Sequence, residues 1–552
     1  MPPFFTPGLR PASIAIAAAW SLFACGGPSM ASEPADDERA TGGSTGVELA
    51  AAGSSVSAVS LIAPAATLSG VVTLRAEIAG HARWVDFLVD GAVAGSASAG
   101  ALSYALDVSR LAAGAHRLEV AAFDDDFRRS VSPPVAVRTS DRPPEHLVAT
   151  AAELVTALGA LGSAGGSIAL GPGTYLLAAP LAIGANVFLS GAGAGVTILR
   201  PLAPRPQQAL LQLAGSGSTV RNLSIDYDGG TWNAIELPAP SVEHVLLQSL
   251  ELRGLSAARS AIELWGAAHR DISVQDCRMD GGKGGSAGLR DSMFDDESSD
   301  DSAFRNTVRG FTGFGIAFPA FAGRPRTGAR NLAVLNDVSD IANPVDQDGR
   351  SEAAIWLGGQ DNVAWGNTCA RAAWELIWTG SNCLRCRVEN NVLSGSRTGI
   401  YLEHSSDDSV VRGNRISAVD TGVNAEWTYG GAGTRRVRLL GNDIRASKTG
   451  VSIETLDDGF VLEDNTIRAG AVAVRLSGAG YTAIRHNDLR PADPGRPVAC
   501  IVERPSKRDD GVLVAADHTT VADNDCRGAV KGVIAREGAS GAHDRVSKNR
   551  WP

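Results

Sequence analysis

Three glutamates stand at equivalent places in a repeated pattern. Glu403 closes Thr398-Gly399-Ile400-Tyr401-Leu402-Glu403, Glu426 closes Thr421-Gly422-Val423-Asn424-Ala425-Glu426, and Glu454 closes Thr449-Gly450-Val451-Ser452-Ile453-Glu454. If each segment is a strand stacked on the next, the three carboxyl groups form a column. Adjacent members then lie about 5 Å apart and alternate members about 9–10 Å apart, from the spacing of paired strands. The first separation suits a retaining glycosidase, and the second lies at the edge of the inverting range. Stacked like charges do not all ionise readily, so one pKa should rise and supply a proton donor. The non-catalytic alternative is that the glutamates are solvated or paired with Arg412 or Arg435.

Other groups flank the column. His404 follows Glu403 and titrates near neutral pH, so it joins the catalytic candidates; a plain hydrogen-bonding role is its alternative. Asp407 and Asp408 come just after it, Trp427 and Tyr429 follow Glu426, and Asp457 and Asp458 follow Glu454. The position two residues before each glutamate reads Tyr401, Asn424 and Ser452, and earlier repeats place Trp356 and Trp378 there, beside Gly358 and Gly380. Trp356, Trp378 and Tyr401 on successive turns would make a platform for sugar rings, with Trp427 and Tyr429 as further substrate contacts. The alternative is that these aromatics shield the sheet beneath a long loop.

The elements that must hold these groups are short strands. In each, alternation points Ile400 and Leu402 inward and Tyr401 and Glu403 outward. Asparagines recur after the second strand of each turn, at Asn336, Asn367, Asn391, Asn414, Asn442, Asn465, Asn487, Asn524 and Asn549. An inward amide at a bend can satisfy backbone groups of neighbouring turns, which predicts a ladder. Leu223, Leu250 and Cys277 occupy that register earlier, so the ladder should begin partway along. One turn cannot bury its own apolar face, so only a stack is stable.

Gly165-Gly166-Ser167-Ile168-Ala169-Leu170-Gly171-Pro172-Gly173-Thr174-Tyr175, together with these repeats, resembles the pectin-lyase-like superfamily of right-handed parallel β-helices from about Glu145 to the end. Ala151 to Leu161 would then be the helix that caps the open end, with Thr150 and Glu153 as its capping box. The resemblance implies an all-β solenoid, and a carbohydrate site on the outer face of the sheet that carries the glutamates. The superfamily holds hydrolases, lyases, epimerases and noncatalytic surface proteins. Its lyases use Lys or Arg as base, often with Ca²⁺. The glutamate column offers oxygen ligands of the kind Ca²⁺ takes, but no Lys falls on the aligned outward positions, and Arg371 and Arg397 are the nearest cations. A glycoside hydrolase therefore ranks above a Ca²⁺-dependent polysaccharide lyase, and a noncatalytic glycan-binding or adhesive protein is the third reading. No cofactor is required, though Ca²⁺ is compatible.

The rest of the chain frames this solenoid. Its 552 residues exceed what one core usually holds. Residues 1–25 read as a signal peptide, with an apolar run ending Leu22-Phe23-Ala24-Cys25 that resembles a lipoprotein box with Cys25 as the lipid-bearing residue. Residues 26–55 read as a flexible tether. Residues 56–140 resemble a bacterial Ig-like domain, carried by Val85-Asp86-Phe87-Leu88-Val89-Asp90-Gly91 and Ala121-Ala122-Phe123-Asp124, with a spacer role expected. Arg142-Pro143-Pro144 reads as a stiff hinge before the solenoid, residues 145–552.

The net charge of −10 and sequence pI near 5.5 leave no clustered basic surface for nucleic acid. The expected partner is a polysaccharide, with membrane contact only through Cys25 and the chain acting as a monomer. It is expected to be exported, either lipid-anchored at a bacterial envelope or extracellular. The acidic stretches around Asp295-Asp296-Glu297 and Asp346-Gln347-Asp348 read as solvated loops, and Gly281 to Pro325 as an insertion walling the cleft. Cys369 and Cys526 read as inward fillers, and Cys383 with Cys386 as a local disulfide or free thiols.

Overall fold

Period-two alternation, punctuated by glycine and asparagine, produces many short strands and, among the described residues, one α-helix. In a computed structural model, the described residues are 55–62, 64–139 and 146–551, apart from 239–240, 265–268, 292–297, 320–327, 342–352, 381–382, 404, 427–432, 455–457, 494–498, 508–510, 531–532, 539–540 and 542. From His146 onward the strands build two long parallel sheets, one of 16 strands and one of 21. Each strand pairs in register with its counterpart one turn away, as Tyr401 with Trp378 and Asn424 with Tyr401. Parallel pairing with the intervening chain carried around a common core makes a solenoid, and such crossovers are right-handed in nearly all proteins. The fold is the right-handed parallel β-helix expected from the sequence. No helix among the described residues is long and apolar enough to cross a membrane.

Ile400, Leu402, Val423, Ala425, Val451 and Ile453 all lie in the continuous core that runs along the coil. The glycines of the Thr-Gly pairs are needed for space. A Cβ on Gly422 would lie 2.2 Å from Ile444 Cγ2 and 2.5 Å from the Gly450 carbonyl oxygen. These residues sit within the extended strands Val392–Leu402, Arg415–Ala425 and Asp443–Ile453.

The asparagine ladder is present and starts one turn earlier than the sequence reading, at Asn306. Each member donates its backbone N–H and its Nδ2–H to Oδ1 of the next. Asn391 does so to Asn414 at 3.0 and 2.9 Å, and Asn414 to Asn442 at 3.0 and 3.0 Å. Nδ2 also donates to a carbonyl of the preceding turn, as Asn414 to Val388 at 2.7 Å. Two donors and a doubly used acceptor are thereby satisfied in a dry interior, where an orphaned polar group costs roughly 1–3 kcal/mol.

The capping helix Ala151–Leu161 closes the N-terminal end. Thr150 accepts from the Glu153 backbone, Glu153 returns the bond, and Leu154, Ala157 and Leu161 are buried against the first turns. Much of the described part of the stretch expected to wall the cleft is solenoid strand. It contains the strands Arg278–Asp291, Ser302–Phe304 and Thr307–Phe318. Its glycines disguised those strands, because glycine weakens the strand signal.

Cys383 and Cys386 form a disulfide, and Cys369 is buried as a free thiol. Cys526 is not a lone filler, because it is bonded to Cys500 of the preceding turn.

Residues 55–139 form two facing sheets around Leu74, Phe87, Leu118 and Val120, antiparallel except for the parallel pairing of Thr67–Leu68 with Arg138–Thr139. Asp90 and Gly91 turn one hairpin with φ of 52° and 82°, where glycine is favoured. This module is docked on the outer face of the 16-stranded sheet. Trp84 stacks on Phe123 at 4.6 Å, meets Trp365 at 5.6 Å, and shares an apolar cluster with Phe304, Leu332, Val334 and Val363. The Ser96 backbone N–H donates to Gln275 at 2.9 Å, and Tyr104 donates to Gln248 at 3.0 Å. These contacts seat the module directly on the solenoid. The hinge Arg142-Pro143-Pro144 lies outside the described residues.

Candidate functional site

The outward column of the 21-stranded sheet carries the aromatic residues. Trp356 pairs with Trp378, Trp378 with Tyr401, Tyr401 with Asn424, and Asn424 with Ser452. Trp356 and Trp378 stack at 4.6 Å and 9° between planes, and Phe314 packs against both, 5.1 Å from Trp356 and 6.4 Å from Trp378. Trp356 is only 5% exposed, clustered with Phe314, Trp378, Ala287, Ala317 and Ala353. It is packing, and the sugar-platform expectation fails for it. Phe314 comes from the glycine-rich strand that sequence patterning missed. Trp378 and Tyr401 remain part-exposed, 6.2 Å apart and tilted by 40°.

The glutamates follow one position beyond the strand ends. Each is fixed through its backbone to the previous turn: Glu403 N–H donates to Thr379 O at 2.8 Å, Glu426 N–H to Leu402 O at 3.2 Å, and Glu454 N–H to Ala425 O at 3.0 Å. They share one register on consecutive turns, but their surroundings differ. Glu403 is 7% exposed and accepts from Trp378 Nε1–H at 3.2 Å. A Cβ on Gly380 would lie 2.5 Å from both of those atoms, so only glycine leaves room for the pair. Behind it, the hydroxyls of Ser406 and Thr434 donate to the Glu403 carbonyl at 2.9 and 2.8 Å. Glu426 is half-buried and accepts from Asn424 Nδ2 at 3.1 Å. Burial raises the pKa of Glu454, the Glu426 charge raises it further, and Arg504 and Arg475 oppose the rise.

Two arginines extend the site. Arg475 pairs with Ser452 and continues the aromatic column, and its pKa is lowered by burial and by Arg504. Arg504 approaches Glu454 to 4.0 Å and donates to Ser477 at 2.8 Å. The signal in the sequence was Ala473-Val474-Arg475-Leu476, the same strand pattern with alanine in place of glycine.

Other expected neighbours are engaged elsewhere. Arg371 pairs with Asp340 at 2.6 Å, and Arg397 sits over Trp374 at 4.2 Å. Arg412 is bound to Glu389, and Arg436 holds Asp408 at 2.7 Å. Arg435 N–H donates to Asp407 at 2.9 Å, so Asp407 and Asp408 belong to a neighbouring bend. His404, Trp427, Tyr429, Asp457 and Cys25 lie outside the described residues, as do the two acidic loop stretches. A concavity of about 600 Å³ lined by Arg205, Asp228 and Thr231 lies at early turns and contains none of these glutamates.

Residues 360–524 match the family model described as periplasmic copper-binding protein (NosD). That segment contains all three glutamates and Arg475. No curated protein matches the chain. Among solved structures, the mannuronan C-5 epimerase AlgE4 A-module of Azotobacter vinelandii is 16% identical, with 73% of this chain and 97% of that chain covered and a TM-score of 0.39. The PfbA surface adhesin of Streptococcus pneumoniae is 10% identical, with 65% and 89% covered and a TM-score of 0.42. A family 28 exopolygalacturonase of Yersinia enterocolitica is 12% identical, with 89% and 98% covered and a TM-score of 0.33. Sequence repeat and parallel register define the class: a right-handed parallel β-helix, similar over residues 360–524 to the NosD family model.

Proposed function

We propose that this chain is an exported polysaccharide-active enzyme, and that Glu426 and Glu454 carry a glycoside hydrolysis. The supporting observation is the asymmetry of the column. Glu454 is driven toward its protonated form by burial and by Glu426. Glu426 accepts from a neutral amide and lies beside it in register. A carboxyl biased to hold a proton, next to a second carboxyl hydrogen-bonded by an amide, is a pairing that suits acid-assisted glycoside cleavage. Glu454 donates to the leaving oxygen, and Glu426 acts as nucleophile or base. Glu403 positions Trp378, which with Tyr401 forms the apolar floor under the sugar. The leader read at residues 1–25 delivers the protein outside the cytoplasm, with Cys25 as the lipid attachment point.

A Ca²⁺-dependent lyase is the second reading, favoured by one observation. Burial and Arg504 depress the pKa of Arg475, the direction a basic catalyst needs. The test is a screen of the purified chain on neutral and acidic polysaccharides, following new reducing ends and the ultraviolet absorbance of an unsaturated product, with and without chelator. Reducing ends without absorbance, abolished by Glu426→Gln with sugar binding retained, support hydrolysis. Absorbance lost in Arg475→Gln or on chelation supports the lyase. Binding without turnover on every substrate supports a noncatalytic rod.

A further inference from the structure

We infer that Asp517, His518 and His543 form a binding site for a divalent transition-metal ion at the last two turns of the solenoid. The register creates it. Thr520 pairs with Arg545, so His518 and His543, each two residues earlier, occupy the same bend on consecutive turns. Their rings stack at 4.6 Å, and Tyr481 continues the stack on the turn before at 4.7 Å from His518.

Asp517 is held from behind. Its Oδ1 accepts the backbone N–H of His518 at 2.9 Å and of His543 at 2.7 Å. That leaves Oδ2 facing the two imidazoles, 2.7 Å from Nδ1 of His543 and 3.5 Å from Nδ1 of His518. One donor atom from each of the three residues lies within 4.8 Å of the others. Bonds of 2.0–2.1 Å in a tetrahedral site put neighbouring donors about 3.3 Å apart, and the two distances to Oδ2 bracket that value. A metal ion entering here replaces the proton shared between His543 and Asp517.

Two imidazoles and one carboxylate select by chemistry. The set suits Zn²⁺, Ni²⁺ or Cu²⁺ and lacks the six to eight oxygens that Ca²⁺ takes. All three side chains are at least partly exposed, so an ion can enter from solvent and keep a water as fourth ligand. The site is remote in sequence from the glutamates, and His543 lies beyond the segment matched by the family model. An ion bound here would tie the last two turns together and raise the melting temperature by mass action.

The test is calorimetric titration of the full chain, free of any histidine tag, with Zn²⁺ and Ni²⁺, using Ca²⁺ as control. One equivalent of Zn²⁺ or Ni²⁺ should bind and Ca²⁺ should not. His518→Phe and His543→Phe keep the ring stack and remove the ligand, so each should weaken binding at least tenfold, with melting in chelator unchanged. Electron paramagnetic resonance of the unmodified chain with one equivalent of Cu²⁺ should show coupling to two imidazole nitrogens, a readout independent of how the variants fold. No stoichiometric binding, binding indifferent to both substitutions, or a Cu²⁺ spectrum without two nitrogens overturns the proposal.

Discussion

The indole Nε1–H of Trp378 donates to Oε2 of Glu403 across adjacent turns at 3.2 Å, joining the aromatic column to the carboxylate column. Gly380 makes this contact possible, since a Cβ there would sit 2.5 Å from both atoms. Gly380→Ala should therefore separate Trp378 from Glu403 while the inward core stays intact. Turnover and sugar affinity should fall by roughly tenfold or more, because about 1.4 kcal/mol of lost positioning is a tenfold change. The melting temperature should move by only a few degrees. A variant with unchanged affinity and turnover would separate this contact from function.

As the proposed proton donor, Glu454 should set the alkaline limb of the activity profile. Its pKa is raised by burial first and by Glu426 second, while Arg504 and Arg475 pull it down. Activity that needs the protonated carboxyl is present below this pKa and is lost as pH rises through it. Arg504→Gln removes an opposing cation, so the alkaline limb should move to higher pH. Measuring kcat against pH for both proteins checks this, and an unmoved limb or one shifted to lower pH assigns the proton donor to another group.

Asn414→Ala tests the ladder. The substitution leaves the Val388 carbonyl and the Asn391 backbone N–H without their partners in the interior. Two orphaned groups at roughly 1–3 kcal/mol each predict a loss of about 2–6 kcal/mol. Asn549 lies at the end of the ladder and is partly exposed, so Asn549→Ala should cost less. Chemical denaturation of the two variants compares them directly.

The solenoid was legible because its repeats state their own register. The Ile400, Val423 and Val451 series and the asparagines after it fix which residues face inward, and the helix cap at Thr150 and Glu153 follows from a local rule. The site was less legible because exposure depends on what covers a residue. Trp356 is outward in register but buried, since Phe314 arrives from a strand whose glycines hid its pattern. Arg475 was missed because alanine stands where the repeat has glycine, which ended the alignment one turn too soon. Docking of the N-terminal module through Trp84 is a tertiary contact between separated segments, and no local periodicity encodes it.

Glu503 makes the C-terminal turns sensitive to pH. It occupies an inward position beside Leu476, is fully buried, and has Arg536 at 3.4 Å. Burial and the neighbouring Asp544 carboxyl push its pKa up to about 7, from 4.5 in the unfolded chain. The folded state thus retains a proton that the unfolded state has already released. This contribution to stability is fully present below pH 4.5 and is lost as pH rises through about 7. Glu503→Gln keeps the size and cannot ionise, so it should flatten the fall in melting temperature between pH 5 and pH 8 and raise stability at the alkaline end. Thermal melts of both proteins across that range decide it, and parallel curves would place the titrating group elsewhere.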